Sequence, residues 1–195
     1  VAIICTDGAC KRNGKPDCTS GYGVVAYSND GTFANQWSGG EYNSTSQRGE
    51  LLGIIKALEV GLEIAVDFDE SIFIVTDSAY LAKGINSKWY EKWERNGWVT
   101  SEESTVKNKD LWMAIAKLVR SYPADSLFVY QVKGHINTAI ESQMLDAYKR
   151  FEENNFGVTP PLSVFTIMLV GNNYADKLAT KAAAEYDSQL PKEEK

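Results

Sequence analysis

Two short apolar runs each lead into an aspartate. Ala2-Ile3-Ile4-Cys5-Thr6 precedes Asp7, and Ser71-Ile72-Phe73-Ile74-Val75-Thr76 precedes Asp77. Runs of this length, rich in β-branched and aromatic residues, read as strands. A carboxylate closing each strand would lie at an edge of the sheet, where side chains from separate parts of the chain can meet. Two further acids stand near the start of helical patterns: Glu50 in Ser46-Gln47-Arg48-Gly49-Glu50-Leu51, and Asp176 after Asn172-Asn173-Tyr174-Ala175. Four hard oxygen donors converging there suit Mg²⁺ or Mn²⁺ and point to metal-assisted phosphoryl transfer.

The rest of the chain supplies a framework. Tyr22–Ser28 and Thr32–Trp37 read as strands joined at Asp30-Gly31, a tight hairpin signal. Leu127–Lys133 is a fifth strand. Leu51, Ile55, Leu58 and Leu62 form the stripe of an amphipathic helix, with Glu50 off that stripe on the side of Ile54 and Ala57, free to face a site. Leu111, Ile115, Leu118 and Tyr122 mark another helix. A hairpin first, then strands alternating with helices, predicts an α/β fold with a mixed sheet and helices on its faces.

Charge argues against a strongly basic nucleic-acid binder, because 20 Lys and Arg against 26 Asp and Glu leave −6. The balance is uneven, however: Leu81 to Arg120 holds eight basic and five acidic residues. Within it, Trp89, Trp93, Trp98 and Tyr90 interleave with Lys88, Lys92 and Arg95. This is either a helix packing its Trp stripe on the core or a protruding element that grips a sugar-phosphate backbone weakly. Cys5, Cys10 and Cys18 match no zinc spacing, and their odd number argues against a disulfide framework. With no secretory signal or membrane span, the chain reads as cytoplasmic.

The single histidine lies in Val132-Lys133-Gly134-His135. Taken with Asp7-Gly8, Gly21-Tyr22-Gly23, Gln47-Arg48-Gly49-Glu50-Leu51, Thr76-Asp77-Ser78, Trp89-x-x-x-Trp93-x-x-Asn96-Gly97-Trp98, Val106-Lys107-Asn108-Lys109-Asp110-Leu111-Trp112 and Asn172-x-x-Ala175-Asp176, it resembles type 1 ribonuclease H. That resemblance implies an RNase H-like fold, a five-stranded mixed β-sheet flanked by α-helices, and cleavage of the RNA strand of RNA–DNA hybrids to 5′-phosphate and 3′-hydroxyl ends. It implies two Mg²⁺ ions about 4 Å apart, with Mn²⁺ a possible substitute, held by Asp7, Glu50, Asp77 and Asp176. His135 would move a proton or aid product release. RNA-strand contacts would fall on Cys10, Asn13 and Gln47, and DNA-strand contacts on Thr45, Trp89, Trp93, Ser101 and Asn108. Thr45 could equally be a helix N-cap, Asn13 a turn residue and Cys10 a plain small residue.

The chain departs from the family between His135 and Asp176, which it sets 41 positions apart, far more than usual. Residues 136–171 thus read as an insertion within one domain spanning 1–195. Ile140, Met144, Tyr148 and Phe151 mark a helix there, and Leu162–Val170 an extra strand or buried extended segment. The insertion is expected to pack on the domain, with docking of a partner protein as the alternative. Residues 187–195 read as a flexible tail, and a monomer is the default. Two other functions remain open: a non-catalytic hybrid-binding module of the same fold, and a DNA-cutting nuclease of the wider superfamily.

Overall fold

A computed structural model describes residues 1–190. Five strands, β1 (Ala2–Lys11), β2 (Thr19–Ser28), β3 (Phe33–Glu41), β4 (Ile72–Thr76) and β5 (Leu127–Gln131), form one sheet in the order β3-β2-β1-β4-β5. The β1–β2 and β2–β3 pairings are antiparallel, whereas β4 pairs in parallel with both β1 and β5. The β2–β3 turn falls at Asp30-Gly31 as predicted. Gly31 has φ +87°, a conformation glycine adopts without strain.

Alternation along the strands divides the molecule into two cores. Ala2, Ile4, Val24, Ile72 and Ile74 face α1 (Ser46–Phe68) and α4 (Lys109–Ser121), packing with Leu51, Ile54, Leu58 and the fully buried Trp112. Ile3, Cys5, Val25 and Val75 face the other way, toward α5 (Glu141–Asn154) and α6 (Leu162–Ser188). The buried face of α1 carries Leu51, Ile54, Ala57 and Leu58, while Ile55 and Leu62 are only half-buried. The Ile54–Ala57 side is therefore core, and Glu50 sits at its end. α2 (Ala79–Asn86) and α3 (Trp89–Arg95) lie between β4 and α4 in the chain.

Three expectations need correction. β1 does not stop near Asp7 but runs on to Lys11, because its second half still pairs with β2 through Lys11↔Thr19. Leu162–Val170 is neither a strand nor an extended segment; it is the first third of α6, which continues to Ser188. Asp176 accordingly lies in mid-helix. The first residues assigned to the tail are ordered: Asp187 and Ser188 are helical, Asp187 pairs with Arg12, and the Gln189 N–H donates to the Tyr186 carbonyl. Pro191–Lys195 lie outside the described residues.

Residues 136–171 pack on one face of the sheet, from Tyr130 of β5 across to Cys5 of β1. Ala147 and Phe151 of α5 are buried with Phe165 and Met168 of α6, and Phe151 lies against both Tyr130 and Phe165. The Asn155 side chain satisfies the β5 edge, accepting from the Gln131 N–H and donating to the Gln131 carbonyl, both at 2.8 Å. Among the described residues no helix is long and apolar enough to cross a membrane.

Candidate active site

The parallel pairing of β1 with β4 ends at Cys5↔Val75. Two residues further along each strand stand Asp7 and Asp77, level with one another and beyond the last paired rung. By alternation both lie on the face of Ile3, Cys5 and Val75, the α6 side of the sheet. Glu50 comes from the opposite face. It reaches the same edge because α1 rests its second turn on Gly8, where a Cβ would fall on the Glu50 backbone nitrogen. Asp176 arrives from α6 in the same manner: a Cβ on Gly23, the β2 partner of Asp7, would strike the Ala175 carbonyl.

Burial and mutual charge dominate the electrostatics. The Asp7 carboxyl is buried and receives the Gly8 N–H at 2.7 Å. Its pKa is pushed up to about 8, first by desolvation and then by the Asp77 charge; the Gly8 N–H opposes this, and Asp176 and Glu50 add to it. Burial likewise raises Glu50, against a hydrogen bond with Ser78. It also raises Asp77, against a hydrogen bond with Asn172. Among the described residues no Lys or Arg pairs with any of the four; Asp176 has His135, whose Nδ1 lies 3.8 Å from Oδ2. Uncompensated carboxylates in this number suit a divalent cation. No three His, Cys, Asp or Glu side chains among the described residues stand close enough to hold one ion together as they are set. The donors ring an open edge, which accords with ions that keep much of their water and take few protein ligands.

The family model for RNase H matches residues 1–151. A ribonuclease H from Syntrophomonas wolfei subsp. wolfei is 40% identical over 138 residues, covering 68% of this chain and 83% of that relative. The chain belongs to the RNase H family of enzymes. Two solved structures share the fold at lower identity. The PFV RNase H domain in solution has a TM-score of 0.66, 24% identity and 94% coverage of both chains. LC11-RNase H1 in complex with an RNA/DNA hybrid has a TM-score of 0.57 and 18% identity, covering 95% of this chain and 99% of that one. Asp176 lies beyond the segment that the family model matches.

In this RNase H, several of the expected strand-contacting residues gather at the start of α1. Thr45 is the N-cap, its Oγ1 accepting from the Arg48 N–H at 3.1 Å, and the Asn13 Oδ1 accepts from the Ser46 N–H at 3.3 Å. Asn108 donates to the Gln47 Oε1 at 2.9 Å. Cys10 stands opposite Ser20 near the end of β1. Trp93 and Ser101 line a cavity of about 530 Å³ with Lys92 and Asn96. Trp89 and Trp93 are half-buried, packed on Trp112, with Trp89 also against Tyr80. The Trp-rich segment is thus a core-packed helix first, and Trp89 does not line that cavity.

Sequence reasoning names the acids but misses what holds them. The Arg48 guanidinium bridges Glu41 at 2.8 and 2.9 Å and Asp110 at 3.0 and 3.1 Å, tying the end of β3 to the starts of α1 and α4. A Cβ on Gly134 would fall on the Asp77 Oδ2, so only glycine leaves that carboxylate its place. Asn172, almost fully buried in α6, sits beside Asp77. For Gly134 the one signal is its position between Lys133 and His135; for Arg48 and Asn172 the sequence offers only their closeness to an acid.

Proposed function

We propose that this RNase H is a metal-dependent endonuclease that hydrolyses the RNA strand of RNA–DNA hybrids, leaving 5′-phosphate and 3′-hydroxyl ends. The observation that carries this reading is the ring of four carboxylates at one sheet edge, with the buried Asp7 at its centre and, among the described residues, no Lys or Arg neutralising it. A curated relative at 40% identity, itself named a ribonuclease H, supports it.

Asp7, Glu50, Asp77 and Asp176 would hold two Mg²⁺ ions, or Mn²⁺ in their stead, which when bound supply charge compensation for the phosphodiester and activation of water. Asp7 must first give up the proton that its raised pKa favours, so metal uptake is coupled to proton release. Asn172 and Gly134 keep the Asp77 carboxylate in line. His135, exposed beside Asp176, serves as the proton carrier or assists product departure, so its loss slows turnover without abolishing it. Cys10, Asn13 and Gln47 meet the RNA strand; Thr45, Asn108, Trp89, Trp93 and Ser101 meet the DNA strand. Contact with 2′-hydroxyls on one side only would separate a hybrid from either homoduplex.

We read the chain as one domain over 1–195 with 136–171 inserted, acting as a cytoplasmic monomer. An end-labelled hybrid incubated with Mg²⁺, with and without EDTA, tests the activity beside Asp7→Asn. The expected result is metal-dependent cutting of the RNA strand alone. In the variant it should fall by more than about a hundredfold, beyond what an outer-shell partner usually costs, with hybrid binding retained. Binding without cutting in both Mg²⁺ and Mn²⁺ would instead make the chain a non-catalytic hybrid-binding module.

A further inference from the structure

The backbone at His135 has φ +57°, a left-handed conformation that a non-glycine residue keeps only when its neighbours hold it there. Its side chain is 77% exposed, so packing of the imidazole does not hold it. The residues on either side do. Before it, the Val132 N–H donates to the Thr76 carbonyl at 3.0 Å, and the Lys133 Nζ meets the Asp146 Oδ2 of α5 at 2.9 Å. After it, Ile136 is buried in the core with Phe151 and Phe165, and the Ile136 carbonyl accepts from the Asn173 Nδ2 at 2.7 Å. The Asn137 N–H then donates to the Gln143 Oε1 of α5 at 2.9 Å.

Two of these ties stand out because they bind backbone groups directly around His135. Asn173 and Asp176 are three residues apart on α6 and so share one helix face. The first grips the carbonyl of residue 136 while the second meets the imidazole of residue 135. Gln143 belongs to the helix inside residues 136–171, which gives that segment a contact with the loop as well as with the sheet.

We propose that Asn173 and Gln143 are positioning residues that fix the His135 loop and keep its imidazole beside Asp176. The catalytic consequence rests on the nuclease reading above; the tether itself does not. With one histidine in the chain, ¹⁵N-histidine labelling gives a single backbone amide signal, whose heteronuclear NOE reports directly on the loop. In the full chain this amide should give the high heteronuclear NOE of ordered backbone, and Asn173→Ala or Gln143→Ala should lower it. Gln143 lies on a half-exposed face of α5, so its variant tests the idea even where Asn173→Ala fails to fold.

In hybrid cleavage, each substitution should lower kcat about three- to tenfold, the loss expected for one hydrogen bond, with KM within about twofold. Added to His135→Ala, neither should lower kcat further, because both act through that residue. An unchanged His135 amide in both variants, or losses that simply multiply with His135→Ala, would overturn the proposal. A full chain that cuts no hybrid, yet whose amide loosens in the variants, would sink the nuclease reading and leave the tether standing.

Discussion

α1 and α6 cover opposite faces of the sheet, and each delivers one carboxylate to the same edge. Both touch down on a strand glycine at that point, α1 on Gly8 beside Glu50 and α6 on Gly23 beside Asp176. Away from the touchdown they differ. α1 starts close, with Gly49 and Gly53 against β1, but beyond these it rides on Ile4, Ile74, Ile54 and Leu58, so large side chains set its distance from the sheet along the rest of its length. α6 stays close along much of its length: a Cβ on Gly21 would strike the backbone around Ala183, and one on Gly171 would strike the Cys5 sulfur. The lesson concerns tolerance. Side-chain packing can adjust by changing rotamers, whereas backbone-on-backbone contact leaves nothing to yield.

The sharpest way to break this comparison is Gly23→Ala beside Gly8→Ala. Both introduce a Cβ into backbone, so each should cost about 1–3 kcal/mol of stability in urea unfolding. Each should also shift one helix-borne acid, and a displacement near 1 Å can cost about a hundredfold in rate. Gly23→Ala should do more damage, since α6 meets the β2 backbone again at Gly21, whereas beyond its first turns α1 rests on side chains. Equal stability and activity for Gly23→Ala and the parent would show that α6 can lift without consequence.

A middle-sized effect separates the strand-borne acid from the helices that surround it. In metal-free protein the Asp7 carboxyl holds its proton up to about 8 in the native state, whereas the unfolded chain releases it near ~4. Its contribution to stability is therefore complete below the unfolded value and is lost as pH rises toward about 8. With EDTA present, the urea midpoint should fall between pH 5 and pH 8; Asp7→Asn should flatten that slope, and Mg²⁺ should oppose it. A midpoint that rises over the same interval in EDTA, unaffected by Asp7→Asn, would remove the buried-acid account.

The smallest effect is expected on the adjustable side. Ile54→Val, at a fully buried position on the sheet-facing side of α1, should cost about 0.5–1.5 kcal/mol and leave cleavage unchanged. A loss of activity as large as that of Gly8→Ala would mean that the α1 face is as rigid as the α6 face.

What could be read from the sequence follows the same division. The buried strands announce themselves, since Ile72–Val75 and Ile3-Ile4 are apolar without interruption. The second half of β1 does not, because Gly8 is small for a reason that lies in α1. The helix carrying Glu50 shows its stripe, although Ile54 and Ala57 face the core more fully than Ile55 and Leu62. α6 hides itself: its alanines and Gly171 give a weak stripe, and a short apolar run such as Leu162–Val170 reads equally as buried strand or helix. The four acids are legible as a set because each has a marked neighbour. Asn172, Gly134 and the Asn173 tether are not, because their partners lie far away in the chain.

Being gripped around Gly21 and Gly23 also makes α6 behave like a rod clamped partway along its length. The position of Asp176 is then measured from the clamp and not from either tip. Turns can be spliced onto the upstream end, and a whole helix placed ahead of them, while the acid keeps its height above the sheet. A lineage can thus lengthen the stretch between His135 and Asp176 with no retuning of the edge, provided that the glycines under the clamp remain.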